Sequence, residues 1–417
     1  MYTLKALLIK PKALLMLNVE RVREDFPILK KGIIYLDSTA SSLTPKVVIN
    51  KMLEYYLEYR ANIERGVYEL SQRASSEYEE ARRDVARFIN AKSESEIVMT
   101  KNATEGINMV AHSINWGKNE NIVTTLLEHH SNLLPWLRCE ERYGVKVKLV
   151  KPNPQGLIDP ADVERLVDDN TRLIAITHVS NVLGVITPVR EIAKVAKEHG
   201  ALLLVDGAQS VPHMKVDVRK LNCDFLAFSG HKMCAPTGSG VLYIREELLD
   251  ELNPLYVGGG VVETVEVNSF KLVKGPAKFE AGTPPIGEVI GLKAAVNYLT
   301  SIGLDNIEAH EKLLTKKLYE GLTQIPKVEV YGPEPRFKTS ITSFNVGDLN
   351  PHDVALILDS TAKIAVRSGM HCAQPLIKHV LGKMQGTVRV STYLYNTEAE
   401  VEKFLAIIEE VAKSLAS

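Results

Sequence analysis

The sequence predicts an α/β protein with a large domain on a mainly parallel seven-stranded sheet and a smaller α+β C-terminal domain. Three observations carry that reading. The chain has 417 residues, more than one hydrophobic core usually serves. Between residues 97 and 244, seven short apolar runs alternate with helix-like stretches. Continuous apolar runs of this kind belong to strands covered on both faces. After about Gly282 the strict alternation stops.

Taken in order, residues 1–18 place Lys5, Lys10 and Lys12 among apolar residues, a faint likeness to a signal peptide. The apolar run from Ala13 to Leu17 is shorter than the core of such a peptide, and no small-residue cleavage site follows it. An ordinary amphipathic terminus is expected, with Met16 as an alternative start. The strands of the large domain are expected at 97–100, 122–124, 145–149, 173–176, 202–205, 225–228 and 241–244. Helices are expected between them at 105–114, 133–143, 161–167 and 189–198. Further on, 288–299 and 304–322 read as helices, and the domains are expected to share a long connecting helix. Strands at 328–331, 341–346 and 387–390 and a last helix over 398–415 complete the smaller domain. The expected division is 1–36 as a segment packing with the small domain, 37–298 as the large domain and 299–417 as the small one. No stretch is long and uncharged enough to span a bilayer.

Lys plus Arg is 50 against 51 Asp plus Glu, a balance that argues against a dedicated nucleic-acid binder. The 4 cysteines, Cys139, Cys223, Cys234 and Cys372, are too sparse for a disulfide framework and form no CxxC pair. They fit a reducing cytosol, where each is a small buried hydrophobe or a reactive thiol. Cys139 lies mid-helix and Cys223 precedes an apolar strand. Cys372 stands in Arg367-Ser368-Gly369-Met370-His371-Cys372, with Pro375 beyond, which implies an exposed loop whose Arg367 and His371 favour a thiolate. Cys234, near Lys232, is the second candidate.

Several strand ends carry polar residues, and ligands of open α/β sheets bind beyond the carboxyl ends of strands. Asp206 in Asp206-Gly207-Ala208-Gln209 reads alone as a turn aspartate, or as the partner of a protonated cofactor ring nitrogen. Lys232 in Ser229-Gly230-His231-Lys232 reads as a surface lysine, or as a desolvated Schiff-base nucleophile beside two phosphate-binding side chains. An Asp at one strand end and a Lys at another suit pyridoxal 5'-phosphate (PLP). Thr104, opening a helix, is an ordinary cap or part of a phosphate site. His129 in Glu128-His129-His130 is a satisfied histidine or a ring-stacking one. A metal role is disfavoured, because no i, i+4 His pair or carboxylate cluster accompanies it. Arg389, within a strand, faces solvent or points inward to bind a carboxylate.

Together these residues are similar to a known family. Asn-Ala-Thr-Glu at 102–105, Glu-His-His at 128–130, His-Val-Ser-Asn-Val-Leu-Gly at 178–184, Asp-Gly-Ala-Gln at 206–209, Ser-Gly-His-Lys at 229–232 and Phe-Glu-Ala-Gly-Thr-Pro at 279–284 occur in one order with Arg-x-Gly-x-His-Cys-Ala-Gln-Pro-Leu at 367–376 and Tyr-Asn-Thr at 395–397. The chain resembles the SufS-type (group II) cysteine desulfurases of the class V aminotransferase superfamily, PLP enzymes of fold type I. The resemblance runs from Tyr35 to Thr397. It implies that Lys232 joins PLP as a Schiff base and moves the substrate's α-proton. Asp206 would pair with the ring nitrogen and Gln209 with the ring hydroxyl oxygen. His129 would stack on the ring and exchange the substrate's thiol proton. Thr104, Ser229 and His231 would bind phosphate, and Thr283 the phosphate in a neighbouring subunit, implying a homodimer. Asn181, Arg367 and Arg389 would hold the substrate. The implied reaction converts L-cysteine to L-alanine, leaves a persulfide on Cys372 and passes sulfur to an acceptor or SUF scaffold protein for iron–sulfur cluster assembly in the cytoplasm. No metal, membrane or nucleic acid is implied. Alternatives are a selenocysteine lyase or related PLP enzyme, or an accessory sulfur-transfer subunit. Tyr68, Met370 and Val261-Val262 stand where that family usually has other residues, Met370 in place of the first His before the Cys, and the other two at the active-site surround or partner surface.

Overall fold

The computed structural model describes residues 17–416. The expectations for Lys5, Lys10, Lys12 and Met16 lie outside the described residues. All seven expected runs form strands of one sheet: Ile97–Thr100 (β1), Asn121–Thr125 (β2), Lys146–Val150 (β3), Thr171–Thr177 (β4), Leu202–Asp206 (β5), Phe225–Ser229 (β6) and Gly240–Ile244 (β7). The order is β1-β7-β6-β5-β4-β2-β3, and only β7 runs against its neighbours. Alternating side chains explain why the strands read as unbroken apolar runs. Ile174, Ile176, Leu203, Val205, Leu226 and Phe228 enter the core on one face. Leu173, Ala175, Leu204, Phe225 and Ala227 enter the core on the other.

The helices between strands fall at Ala103–Ser113, Leu134–Tyr143 and Val189–Glu198, close to expectation. The one expected at 161–167 is shorter, Pro160–Glu164. Its cap is Asp159, whose side chain accepts from Ala161 N. The two helices expected at 288–299 and 304–322 form at Ile286–Ile302 and Leu304–Gln324, so the expected connection by one long helix is made by two. Gly303 separates them at φ 89°, a left-handed conformation that ends a helix.

A four-stranded antiparallel sheet follows, of Val328–Tyr331 (β8), Ile341–Val346 (β9), Arg367–Gly369 (β10) and Thr387–Ser391 (β11), in the order β8-β9-β11-β10. Leu314, Leu318 and Leu322, four apart on the second helix, pack with Phe344, Val388, Phe404 and Ile408 in a separate core. The N-terminal part crosses to this body. Ile34–Tyr35 pairs in parallel with Ile364–Ala365, and Arg23 bonds Glu400 at 2.8 Å. Among the described residues no helix is long and apolar enough to cross a membrane.

Candidate active site

The carboxyl ends of β1, β2, β4, β5 and β6 open on one cavity of about 420 Å³. Its lining includes Thr104, His129, Asn181, Asp206, Gln209, Ser229, His231 and Lys232 from the large sheet, and Arg367, Cys372 and Arg389 from the small one. Of the sequence-predicted site residues, only Thr283 lies outside it. Thr283 is exposed, on the rim of a separate hollow beside Thr100 and Glu280.

Lys232 ends the short 3₁₀ turn after β6. It is partly exposed to the cavity, yet its amine is held down to about 8. Enclosure is the main cause, Asp206 acts against it, and Arg389 adds to it. Asp206 is buried at the end of β5. Burial pushes its carboxyl up, while the 2.9 Å bond from Ala208 N and the charge of Lys232 pull it down.

His129 is neutral. Burial first, then Lys232, His130 and Arg389, lower it to about 3. Its Nδ1 accepts from Ser131 N at 3.1 Å, which puts the proton on Nε2. Ser131 Oγ also lies 2.9 Å from that Nδ1 and 2.7 Å from Thr104 Oγ1, so it links the two expected residues. The helix cap is Asn102, not Thr104. Asn102 Oδ1 accepts from Glu105 N at 2.9 Å, which leaves Thr104 exposed on the first turn. Ser229 Oγ accepts from Ala103 N at 2.9 Å. His231, lowered to about 4 by burial and by Lys232, contacts Ser41 Oγ at 3.3 Å.

Arg389 is buried and points inward. Its Nη1 donates to Asn181 O at 3.0 Å and its Nη2 to Asp37 Oδ1 at 3.2 Å. Arg367, half-exposed, donates to the same aspartate. Cys372 is exposed, whereas Cys139, Cys223 and Cys234 are buried. Burial pushes Cys234 up to about 12, which removes it as a second reactive thiol. His371 does not supply the positive charge expected beside Cys372. Burial and Arg389 lower it to about 3, and its Nε2 engages Thr387. The Cys372 loop is held to the large domain by His130 and Asn181, and Gln374 N donates to His130 Nε2 at 3.2 Å. His130 N donates to Cys372 O at 2.7 Å, and Asn181 Nδ2 donates to His371 O at 2.7 Å.

Several residues the sequence did not single out belong here: Asp37, Thr39, His130 and Ser131. Asp37, Thr39 and His130 act through contacts distant in sequence, whereas Ser131 bonds His129 two residues away and reaches Thr104 across the fold. Among the described residues no group of three or more His, Cys, Asp or Glu is placed to hold a metal. The cavity fits PLP chemically. An amine with lowered proton affinity shares the cavity with a carboxylate, and a helix N-terminus with two hydroxyls offers an anion site. Gln209 Oε1, Asn181 Oδ1 and Arg389 Nε are buried there without partners. Gln209 Nε2 already donates to Thr39 O at 2.9 Å, so only its second N–H remains for a ring oxygen.

Residues 34–404 match the family profile described as Aminotransferase class-V. A relative from Pyrococcus abyssi, described as "Probable cysteine desulfurase", is 50% identical over 402 residues, covering 95% of this chain and 98% of the relative. The solved apo structure of a cysteine desulfurase from Thermococcus onnurineus NA1 has 49% identity and a TM-score of 0.92, covering 96% of this chain and 99% of that one. The cysteine desulfurase CsdA from Escherichia coli has 34% identity and a TM-score of 0.90, covering 97% of this chain and 100% of that one. Likeness of that depth, over nearly the whole of each chain, places this protein in the class-V aminotransferase family, among its cysteine desulfurases.

Proposed function

We propose that this chain is a PLP-dependent cysteine desulfurase that converts L-cysteine to L-alanine and stores the sulfur as a persulfide on Cys372. The observation that carries this is the meeting of Lys232, Asp206, Arg389 and an exposed Cys372 in one cavity. When bound, PLP draws electrons from the substrate's Cα and so weakens its Cβ–S bond. Asp206 holds a proton on the ring side of the site. Thr104, Ser229 and the N-terminus of Ala103–Ser113 take the phosphate, with His231 beside them. Lys232, whose amine gives up its proton more readily than an ordinary lysine, carries the proton to and from Cα. Arg389 and Arg367 orient the carboxylate. The Cys372 thiolate attacks the substrate's sulfur. An S–S bond forms and the Cβ–S bond breaks; the carbon keeps the electron pair and takes a proton to become alanine. His129, with Nδ1 engaged by Ser131, presents an N–H, so accepting the thiol proton requires a change of tautomer.

The finer reading is a SufS-type enzyme of the cytoplasm, supplying an acceptor for iron–sulfur assembly and acting as a homodimer. Ile49, Leu53, Tyr56 and Leu57 on the helix Lys46–Glu58, with Val67, Tyr68, Val265 and Phe270, form exposed apolar surface that supports a second copy docking there. Exposed Thr283 would then reach a partner's site. The proposed bodies are 37–298 for cofactor and 299–417 for Cys372, with 1–36 packed on the latter.

The test is alanine and sulfide release from L-cysteine. Lys232→Ala should lose both products and its lysine-linked cofactor absorbance. Cys372→Ala should keep that absorbance and lose desulfuration. Wild-type rates in either variant would overturn the corresponding role. Activity confined to selenocysteine would point to the lyase reading.

A further inference from the structure

The turn after β2 is braced from beneath. Buried Glu128 accepts from Thr125 Oγ1 at 2.6 Å and from Asn132 Nδ2 at 2.6 Å. Trp136 Nε1 in turn donates to Asn132 Oδ1 at 3.2 Å. A buried network with its bonds made holds the backbone above it in one arrangement. On that base His129 lines the cavity, and His130 meets the chain that follows Cys372.

His130 grips that chain twice. Its N–H donates to Cys372 O at 2.7 Å, and its Nε2 accepts from Gln374 N at 3.2 Å. Gln374 opens the helical segment that runs on to Val380, where a first-turn N–H has no partner within the helix. The imidazole supplies that partner from the large domain. An imidazole that accepts at Nε2 is neutral with its proton on Nδ1, and burial, which lowers the proton affinity of His130, favours that form. Neighbouring His129 is held the other way round, with Nδ1 accepting from Ser131 N. Cys372 itself takes φ 55°, a backbone that a non-glycine residue keeps only while its surroundings impose it.

We propose that His130 is a positioning residue for sulfur transfer: its Nε2 caps the chain just beyond Cys372 and so holds the thiol where it can attack the substrate's sulfur. The inference rests on the reading of Cys372 as the sulfur acceptor.

The test compares three variants as holoenzyme. Glutamine places an acceptor oxygen about as far from the backbone as Nε2, asparagine's stops one bond short, and leucine offers none. Two readouts follow a single turnover with L-cysteine: the change in cofactor absorbance as substrate binds, and the rate of alanine formation. His130→Leu and His130→Asn should slow alanine formation roughly tenfold or more, since small misplacements of a reacting group are costly. The absorbance change on binding should keep its wild-type rate, because it precedes the thiol's attack. His130→Gln should restore alanine formation to within about threefold of wild type. Wild-type alanine formation in His130→Leu overturns the inference, and so does a glutamine variant as slow as the leucine one. Equal slowing of the absorbance change and of alanine formation also overturns it, because the residue would then act on the cofactor side. Should His130→Leu fail to hold cofactor, His130→Gln against His130→Asn decides, and equal rates overturn the inference. Cys372→Ala, run alongside, separates the two layers. If it forms alanine at the wild-type rate, the reading of Cys372 falls and the role of His130 with it. If it is inactive while His130→Leu is not slowed, only the role of His130 falls.

Discussion

A fully protonated amine cannot attack an aldehyde, so a Schiff-base lysine at neutral pH must give up part of its proton affinity. Lys232 does so by enclosure, helped by Arg389 and opposed by Asp206, and reaches about 8. The sign follows directly. Above about 8 the amine is mostly neutral, and below it the ammonium dominates. The rate at which cofactor-free protein captures PLP should therefore climb from pH 7 to pH 9 and level off, followed by stopped-flow absorbance. Asp206→Asn removes the charge that favours the ammonium and should move the midpoint to lower pH. A midpoint near that of an ordinary lysine would contradict the assignment. The local sequence shows Ser229-Gly230-His231-Lys232 after a strand, which suffices to nominate the lysine. It does not show Asp37, because the partners of that residue are 330 and 352 positions away.

The segment that carries Cys372 owes its shape to elements on both sides of it. His371 and Cys372 take left-handed backbones at φ 49° and 55°, which non-glycine residues adopt only when neighbours impose them. The neighbours here are His130, Asn181 and the β10–β11 pair. Gly386, just before β11, passes so close to Gly369 that an added Cβ would lie 2.5 Å from the Gly369 carbonyl carbon. Gly386→Ala should force β10 away, cost about 1–3 kcal/mol in denaturant unfolding and slow alanine formation, while the bound cofactor's absorbance stays. Normal turnover with normal stability would show that this close approach does not position Cys372. The exposed loop itself was legible, because Gly, His and Pro surround the cysteine. Its backbone conformation was not, since contacts distant in sequence fix it. The helix cap at Asn102 was missed for a related reason: Asn and Thr both cap well, and only the extended backbone of Asn102 decides between them.

Across the whole molecule, strand positions were the most legible feature, because burial on both faces writes each one as an apolar run. The order β1-β7-β6-β5-β4-β2-β3 was not legible, since no run names its neighbour. Yet that order determines the chemistry. It brings the ends of β4, β5 and β6 side by side, so that Asn181, Asp206 and Lys232 share one cavity, and the β10–β11 sheet closes over it with Cys372 and Arg389. In the proposed reaction, sulfur passes from a substrate positioned between the two sheets to a thiol held by the small one. Peptide mass spectrometry after a single turnover with L-cysteine, under alkylation and without reductant, tests that transfer most directly. The expected result is one sulfur atom added to the peptide containing Cys372, none on those containing Cys139, Cys223 or Cys234, and alanine formed in equal amount. Alanine formed without sulfur on Cys372, or with sulfur on another cysteine, would contradict the account.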